Sequence, residues 1–328
     1  MSEKIIVIGS NSFSGASFVP FALDEGFEVT GISRSAEINP VFLPYKYSGG
    51  NIEFHQLDLN HDLDKIMALI ESKRPEYVVN FAAQSMVAQS WDHPDHWFMT
   101  NVVSTVKFHD RLRHCDFLKK YVHISTPEVY GSCEGYIKES NFYYPSTPYA
   151  VSRAAADMSL HTFFNSHKFP VVFTRAANVY GPGQQLYRII PRTILFIKTG
   201  KKLQLHGGGT SERSFIHMRD VSDATLRIMK QASPGEIFHI ATNDSITIRN
   251  LVELICDLMG VRFEDHVDVA KERLGKDSAY LLDSSKIRNT LGWQDQVSLK
   301  EGVATVLQWI EKNFDILQKQ PPDYIHKA

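Results

Sequence analysis

A chain of 328 residues, 43% of them hydrophobic, can bury one large core or two closely joined ones. Its 35 basic and 37 acidic residues leave a net charge of -2, which gives no electrostatic reason to expect nucleic acid or an anionic membrane as a partner. No apolar run approaches the roughly 20 residues of a membrane span, and neither the cysteines Cys115, Cys133 and Cys256 nor the 14 histidines show metal-ligand spacing, so no metal is expected.

The first hydrophobic run, Lys4-Ile5-Ile6-Val7-Ile8, begins almost at once, which argues against a signal peptide, and the odd number of cysteines fits a reduced cytoplasm. Short β-branched runs predict strands near 4–8, 28–32, 52–57, 77–82, 121–125 and 170–175. Stretches of helical period between them predict helices near 13–25, 62–73, 95–114 and 148–166. That alternation calls for an α/β fold, a parallel sheet covered by helices on both faces. After Tyr180-Gly181-Pro182-Gly183 the rhythm changes. A helix near 189–199, a strand near 202–206, a strand-helix-strand stretch through 241 and helices near 247–259, 284–291 and 299–315 complete the pattern. The expected division is 1–178, receiving part of 214–242, and a smaller, interleaved segment 179–328. The tail from Gln318 reads as loosely held.

Gly9-Ser10-Asn11-Ser12-Phe13-Ser14-Gly15 follows the first strand and opens a helix, the place where a glycine turn lets backbone amides approach a pyrophosphate. Pro20, inside that helix, is expected to kink it. The second strand ends in Ser33-Arg34-Ser35 with no acid to hold an adenosine ribose, chemistry suited to a 2′-phosphate and hence to NADP over NAD. Asp58, at the end of the third strand, is placed to accept from an adenine amino group or to cap the next helix. Further on, Thr126 and Glu128 follow the strand Tyr121-Val122-His123-Ile124. Tyr149 and Arg153 stand four apart on one helical face. A hydroxyl, a carboxylate, a phenol and a fixed cation suffice to oxidise one carbon and deprotonate the next.

From here the chain resembles the extended short-chain dehydrogenase/reductase superfamily, and within it the nucleotide-sugar 4,6-dehydratases. Asn80-Phe81-Ala82-Ala83-Gln84-Ser85, Ser90 with Pro94, and Gly31-Ile32-Ser33-Arg34 are similar to the GDP-mannose enzymes. Arg175-Ala176-Ala177-Asn178-Val179-Tyr180-Gly181-Pro182, Ile190-Pro191, Arg213 to Asp220 and Leu282-Asp283-Ser284-Ser285-Lys286 are similar to the dTDP-glucose enzymes. The resemblance implies a Rossmann-type doubly wound sheet with a smaller α/β substrate domain. It implies cofactor contacts from Gly9, Ser12, Phe13, Gly15, Ser33, Arg34, Ser35, Asp58, Leu59, Ala82, Ala83, Asn101, Tyr149 and Arg153. It assigns Tyr149 to the sugar O4 proton, Thr126 to a hydrogen bond on the same oxygen, and Glu128 to the C5 proton. Substrate contacts fall on Ser85, Thr126, Asn178, Arg188, Arg213 and Arg273. Departures are Ser12 for a glycine, Arg153 for a lysine, Pro127 for an acid, and Ser278 and Ala279 for arginines. The product is a 4-keto-6-deoxy sugar, with the cofactor bound through the cycle. An epimerase, a 5,6-dehydratase, a decarboxylase and a non-catalytic sugar-nucleotide binder stay open as alternatives. A homodimer is expected through a four-helix bundle built on Trp97, Phe98, Val102, Val106, Met158, Leu160, Phe163 and Phe164.

Overall fold

The structure is a computed structural model and describes residues 2–133, 135–271 and 281–327. Seven parallel strands form its central sheet: Lys4–Ile8 (β1), Glu28–Ser33 (β2), Glu53–Gln56 (β3), Tyr77–Asn80 (β4), Lys120–Ile124 (β5), Val171–Ala176 (β6) and Ile237–Ile240 (β7). Their order is β3-β2-β1-β4-β5-β6-β7, so the winding reverses between β1 and β4, as in a Rossmann-type sheet. The two edges differ in burial. β4 and β7 are buried throughout, because helices cover both faces, whereas edge strand β3 keeps its two outer residues exposed.

Side chains alternate across the sheet and make two cores. Val7, Val79, Val122 and Val172 face one side and pack with the helices Phe13–Asp24 (α1) and Met218–Gln231 (α5). Ile6, Ile8, Val78 and Tyr121 face the other, against Leu63–Lys73 (α2), Thr105–Leu112 (α3) and Pro148–His167 (α4). A third core joins the helices Ile189–Lys198, Ile248–Met259 and Leu299–Lys312 through Ile194, Leu251, Ile255 and Val306. Beside it Leu203–His206 pairs in parallel with Val267–Ala270. The chain leaves the sheet after β6, contributes to this third core, and returns through α5 to add β7 at the edge.

Several expectations change. The helix near 95–114 is composite: Pro94–Phe98, a π-helical turn Met99–Ser104, then α3. Helix α1 continues past Pro20 to Asp24. The tail beyond Gln318 is held rather than loose: Asp323 meets Arg192 at 3.0 Å, Tyr324 packs edge-on to Tyr187, and the Lys327 carbonyl accepts from Gln84 Nε2 at 2.7 Å. Trp97 and Leu160, expected on an outer face, are fully buried, while Phe98 and Met158 are exposed. The first strand of the expected strand-helix-strand stretch, Phe215–His217, does not join the sheet but pairs with Asn178–Tyr180, and a second short ribbon, Glu212–Arg213 with Ile246–Thr247, is unexpected.

Candidate active site

At the switch point the turn after β1 closes so tightly that side chains are excluded. Gly9 has φ 82°, and a Cβ on it would lie 2.7 Å from the Ala82 nitrogen; one on Gly15 would lie 2.3 Å from the Gly9 carbonyl oxygen. Ser12 caps α1, its Oγ accepting from the Gly15 amide at 3.0 Å. The amino end of α1 therefore sits over a cradle that any Cβ would fill, an arrangement that fits a dinucleotide pyrophosphate.

A cleft of about 550 Å³ runs from this turn along the carboxyl ends of the strands to the helix Ile189–Lys198. One wall carries four of the expected residues. Thr126 follows β5, and Glu128 sits in the short 3-10 turn Pro127–Tyr130, where Pro127 supplies the first position. Gly131 ends that turn at φ 69°, where a Cβ would lie 2.2 Å from the Tyr144 carbonyl oxygen. Opposite, Thr147 caps α4 by accepting from the Ala150 amide at 3.2 Å, which fixes the first helical turn and with it Tyr149. Tyr149 and Arg153 are 8% and 4% exposed, one turn apart, and both line the cleft.

These groups already interact. The Thr126 hydroxyl donates to Glu128 Oε2. Burial and the Glu128 charge push the Tyr149 phenol up to about 12, opposed by Arg153, by hydrogen bonding with Thr126, and by Arg188. Arg153 donates through Nη2 to the Ile124 carbonyl, while its buried Nε has no partner among the described residues. An unpartnered guanidinium N–H beside the cleft is costly unless a ligand oxygen completes it, and this fits the same dinucleotide.

The cleft wall also includes Ser12, Phe13, Ala83, Ser85, Asn178, Arg188 and Arg213. Arg188 stands at the amino end of the helix Ile189–Lys198; Arg213 donates to the Glu212 carbonyl at 2.7 Å, and Asn178 Nδ2 to the Ser214 carbonyl at 3.1 Å. Other named residues lie beside the cleft rather than in its wall. Ser33 Oγ accepts from the Asn11 amide at 2.9 Å, Arg34 Nη2 donates to the Lys327 carbonyl at 3.3 Å, and the Ser35 carbonyl accepts from Asn11 Nδ2. Asp58 accepts from the Asn60 amide at 2.8 Å, Leu59 is buried in the core, and the Ala82 amide donates to Asn80. Asn101 spends its amide on the Gln84 backbone and the Ser152 hydroxyl. Arg273 falls outside the described residues. Sequence reasoning missed Gln184 and Tyr187, which line the cleft without a motif to mark them, and gave no role to Phe81, which lines it from within the quoted Asn80–Ser85 segment.

Residues 6–306 match the family model described as GDP-mannose 4,6 dehydratase. A dTDP-D-glucose 4,6-dehydratase from Homo sapiens is 34% identical over 270 residues, 80% of this chain and 76% of that one. Among solved structures, the dTDP-glucose 4,6-dehydratase of Streptomyces venezuelae, with NAD bound, superposes with a TM-score of 0.88 at 28% identity, covering 95% of this chain and 98% of its own. The dTDP-glucose 4,6-dehydratase of Bacillus anthracis, in complex with NAD, gives 0.86 at 27% identity over 96% and 98%. With the sheet order, the glycine cradle and the Thr126, Glu128, Tyr149 and Arg153 wall in place, this chain belongs to the GDP-mannose 4,6-dehydratase family.

Proposed function

We propose that the protein is a nucleotide-sugar 4,6-dehydratase that converts an NDP-hexose to an NDP-4-keto-6-deoxyhexose. The observation that carries this reading is the convergence of Thr126, Glu128, Tyr149 and Arg153 on one cleft that begins at a dinucleotide cradle. When bound, a nicotinamide dinucleotide supplies the acceptor for the C4 hydride and returns that hydride to C6. Tyr149 takes the O4 proton while Thr126 holds the same oxygen. The resulting ketone acidifies the C5 proton, which Glu128 removes as water leaves C6. Arg153 offsets the burial and the Glu128 charge that keep the phenol protonated, and its unpartnered Nε is available to a ribose oxygen. Pro127 cannot donate a proton to the departing hydroxyl, so Glu128 passes the C5 proton to it, and a proton from solvent returns to C5 when C6 receives the hydride.

The cofactor we infer is NAD rather than the NADP that Arg34 suggested. Two solved relatives carry NAD, and here the Ser33 hydroxyl is engaged with Asn11 and Arg34 reaches the 319–327 segment. Arg188, Arg213 and Asn178, from residues 178 onward, form the diphosphate side of the cleft in this reading, with Ser85 toward the sugar. A homodimer in the cytoplasm completes it, its contact formed by the exposed Phe98, Met99, Val103, Val151 and Met158. The test is incubation with GDP-, dTDP-, UDP- and CDP-hexoses followed by mass spectrometry, with bound cofactor identified in parallel. Loss of one water from one substrate, abolished by Glu128→Gln, supports the proposal. Altered retention at unchanged mass would replace it with an epimerase.

A further inference from the structure

Directly beneath the cleft wall lies a buried ion pair that the proposed chemistry does not use. Asp157 and Arg175 are both fully buried, and Arg175 Nη2 donates to Asp157 Oδ2 at 2.8 Å. Asp157 stands on α4 one turn beyond Arg153 and two turns beyond Tyr149, on the same face. The same carboxylate oxygen accepts from the Ser125 hydroxyl at 2.7 Å, and His123 Nε2 faces the other oxygen at 3.3 Å. Arg175, from β6, reaches the other way. Its Nη1 donates to the Tyr130 hydroxyl and to the Ser140 carbonyl at 2.9 Å, and Nη2 to the Tyr143 hydroxyl at 3.2 Å. The Tyr130 hydroxyl in turn meets His239 Nε2 at 2.8 Å.

The connectivity is what matters. Ser125 immediately precedes Thr126, and Tyr130 ends the short turn that carries Glu128. The pair therefore grips that segment at both ends. Through Asp157 it ties the same segment to the helix face bearing Tyr149 and Arg153. We propose that Asp157 and Arg175 are positioning residues that hold Thr126 and Glu128 in register with Tyr149 and Arg153, a role that rests on the dehydratase reading above.

Stability alone does not account for such a pair. Removing both charges from water is costly, and well-packed apolar residues in their place are often as stable or more so. Rates are far more sensitive to placement, since an error of about 1 Å in reacting groups can cost on the order of a hundredfold.

The experiment compares Asp157→Asn, Arg175→Met and the double variant in the full-length, cofactor-loaded protein. We expect Asp157→Asn to lower kcat by about a hundredfold while KM and cofactor affinity change less than about threefold. The double variant buries no unpaired charge, so it should recover the melting temperature but not kcat. Recovery of kcat together with the melting temperature would show a merely structural pair and overturn the proposal. So would unchanged kcat in Asp157→Asn. Hydrogen exchange provides a readout independent of turnover: segments 125–131 and 149–153 should both exchange faster in the double variant, and unaltered exchange there would also overturn it. A wild-type protein that turns over no sugar nucleotide would sink the dehydratase reading, and exchange alone would then decide the positioning role.

Discussion

The two halves of the sheet build their share of the cleft from different materials. On the β1–β2 side the site is backbone: a turn shaped by Gly9 and Gly15, a capping serine, and carbonyl and amide contacts from Asn11. On the β5–β6 side it is polar and charged side chains: Glu128, Tyr149 and Arg153 in the wall, Asp157 and Arg175 beneath. On the first side Ser12 acts by capping α1 and Arg34 lies outside the wall, whereas on the second Arg153 stands in the wall with its charge buried.

The largest effect should follow from removing one charge on the β5 side. Glu128→Gln keeps shape and retains an oxygen for the Thr126 hydroxyl, yet cannot take the C5 proton. Turnover should fall by about a hundredfold to ten-thousandfold, the usual range for a general acid or base, with little change in melting temperature. Because the Glu128 charge helps hold the Tyr149 phenol up near 12, its loss should also move the phenol down. C4 oxidation should then persist, with reduced nicotinamide visible by its near-ultraviolet absorbance, and its pH profile should shift to the acid side. Equal loss of oxidation and dehydration would place Glu128 outside the C5 step.

The next effect probes the backbone half. Gly15→Ala places a Cβ 2.3 Å from the Gly9 carbonyl oxygen, a contact that only backbone movement relieves. Overpacking of this kind costs about 1–3 kcal/mol, and the displaced amides should weaken cofactor binding by more than about tenfold, at 1.4 kcal/mol per decade. Gly26→Ala is the control. At φ 83° with nothing within 4 Å of the new Cβ, it should cost about 1–2 kcal/mol of strain and leave the cofactor untouched. Titration calorimetry with NAD separates the two.

This difference in materials also decided what could be read in advance. The strands were legible because parallel strands covered on both faces are continuous apolar runs. Thr126, Glu128, Tyr149 and Arg153 were legible because their chemistry demands those side chains at those spacings. Arg175 was legible only as the first residue of the Arg175–Pro182 segment, with no role of its own. Asp157 left only its helical phase with Tyr149. By contrast, Gln184 and Tyr187 line the cleft through tertiary placement that no local pattern encodes. The π-helical turn at Met99–Ser104 likewise has no periodicity to announce it. The tail reads as loose by composition, and its anchors Arg192, Tyr187 and Gln84 are far away in sequence.

A smaller effect tests the buried polar layer as a whole. Burial holds His239 down to about 3 and His217 down to about 4, so both stay neutral in the fold, whereas in the unfolded chain they take a proton near 6.5. Between about 6.5 and those folded values the unfolded state binds more protons, so stability must fall as the pH drops through that window. Burial lowers His109 and His123 as well and adds in the same direction. Asp157 is held below the usual carboxylate range: burial opposes this, but His123, Arg175 and Ser125 outweigh it. Its contribution is therefore present above about 3.9 and lost only in stronger acid. The melting temperature should begin to fall near pH 6.5 and drop on the order of 10 °C by pH 4.5. An onset only below pH 4.5 would show that carboxylates, not buried histidines, dominate.

The smallest expected change concerns Arg34, and it bears most directly on the cofactor. A guanidinium paired with a 2′-phosphate makes charge-assisted hydrogen bonds worth about 1.5–3 kcal/mol, so in an NADP enzyme Arg34→Ala should weaken NADP binding by more than about tenfold. In this structure Arg34 Nη2 instead donates to the Lys327 carbonyl at 3.3 Å, and the neighbouring Ser33 hydroxyl holds the Asn11 amide. An exposed contact of that kind contributes about 1 kcal/mol or less. Arg34→Ala should therefore change NAD affinity by less than about fivefold, with NAD still preferred over NADP. A selective loss of NADP affinity from a wild-type protein that prefers NADP would reverse that assignment, and would mean that the 319–327 segment yields Arg34 to the cofactor.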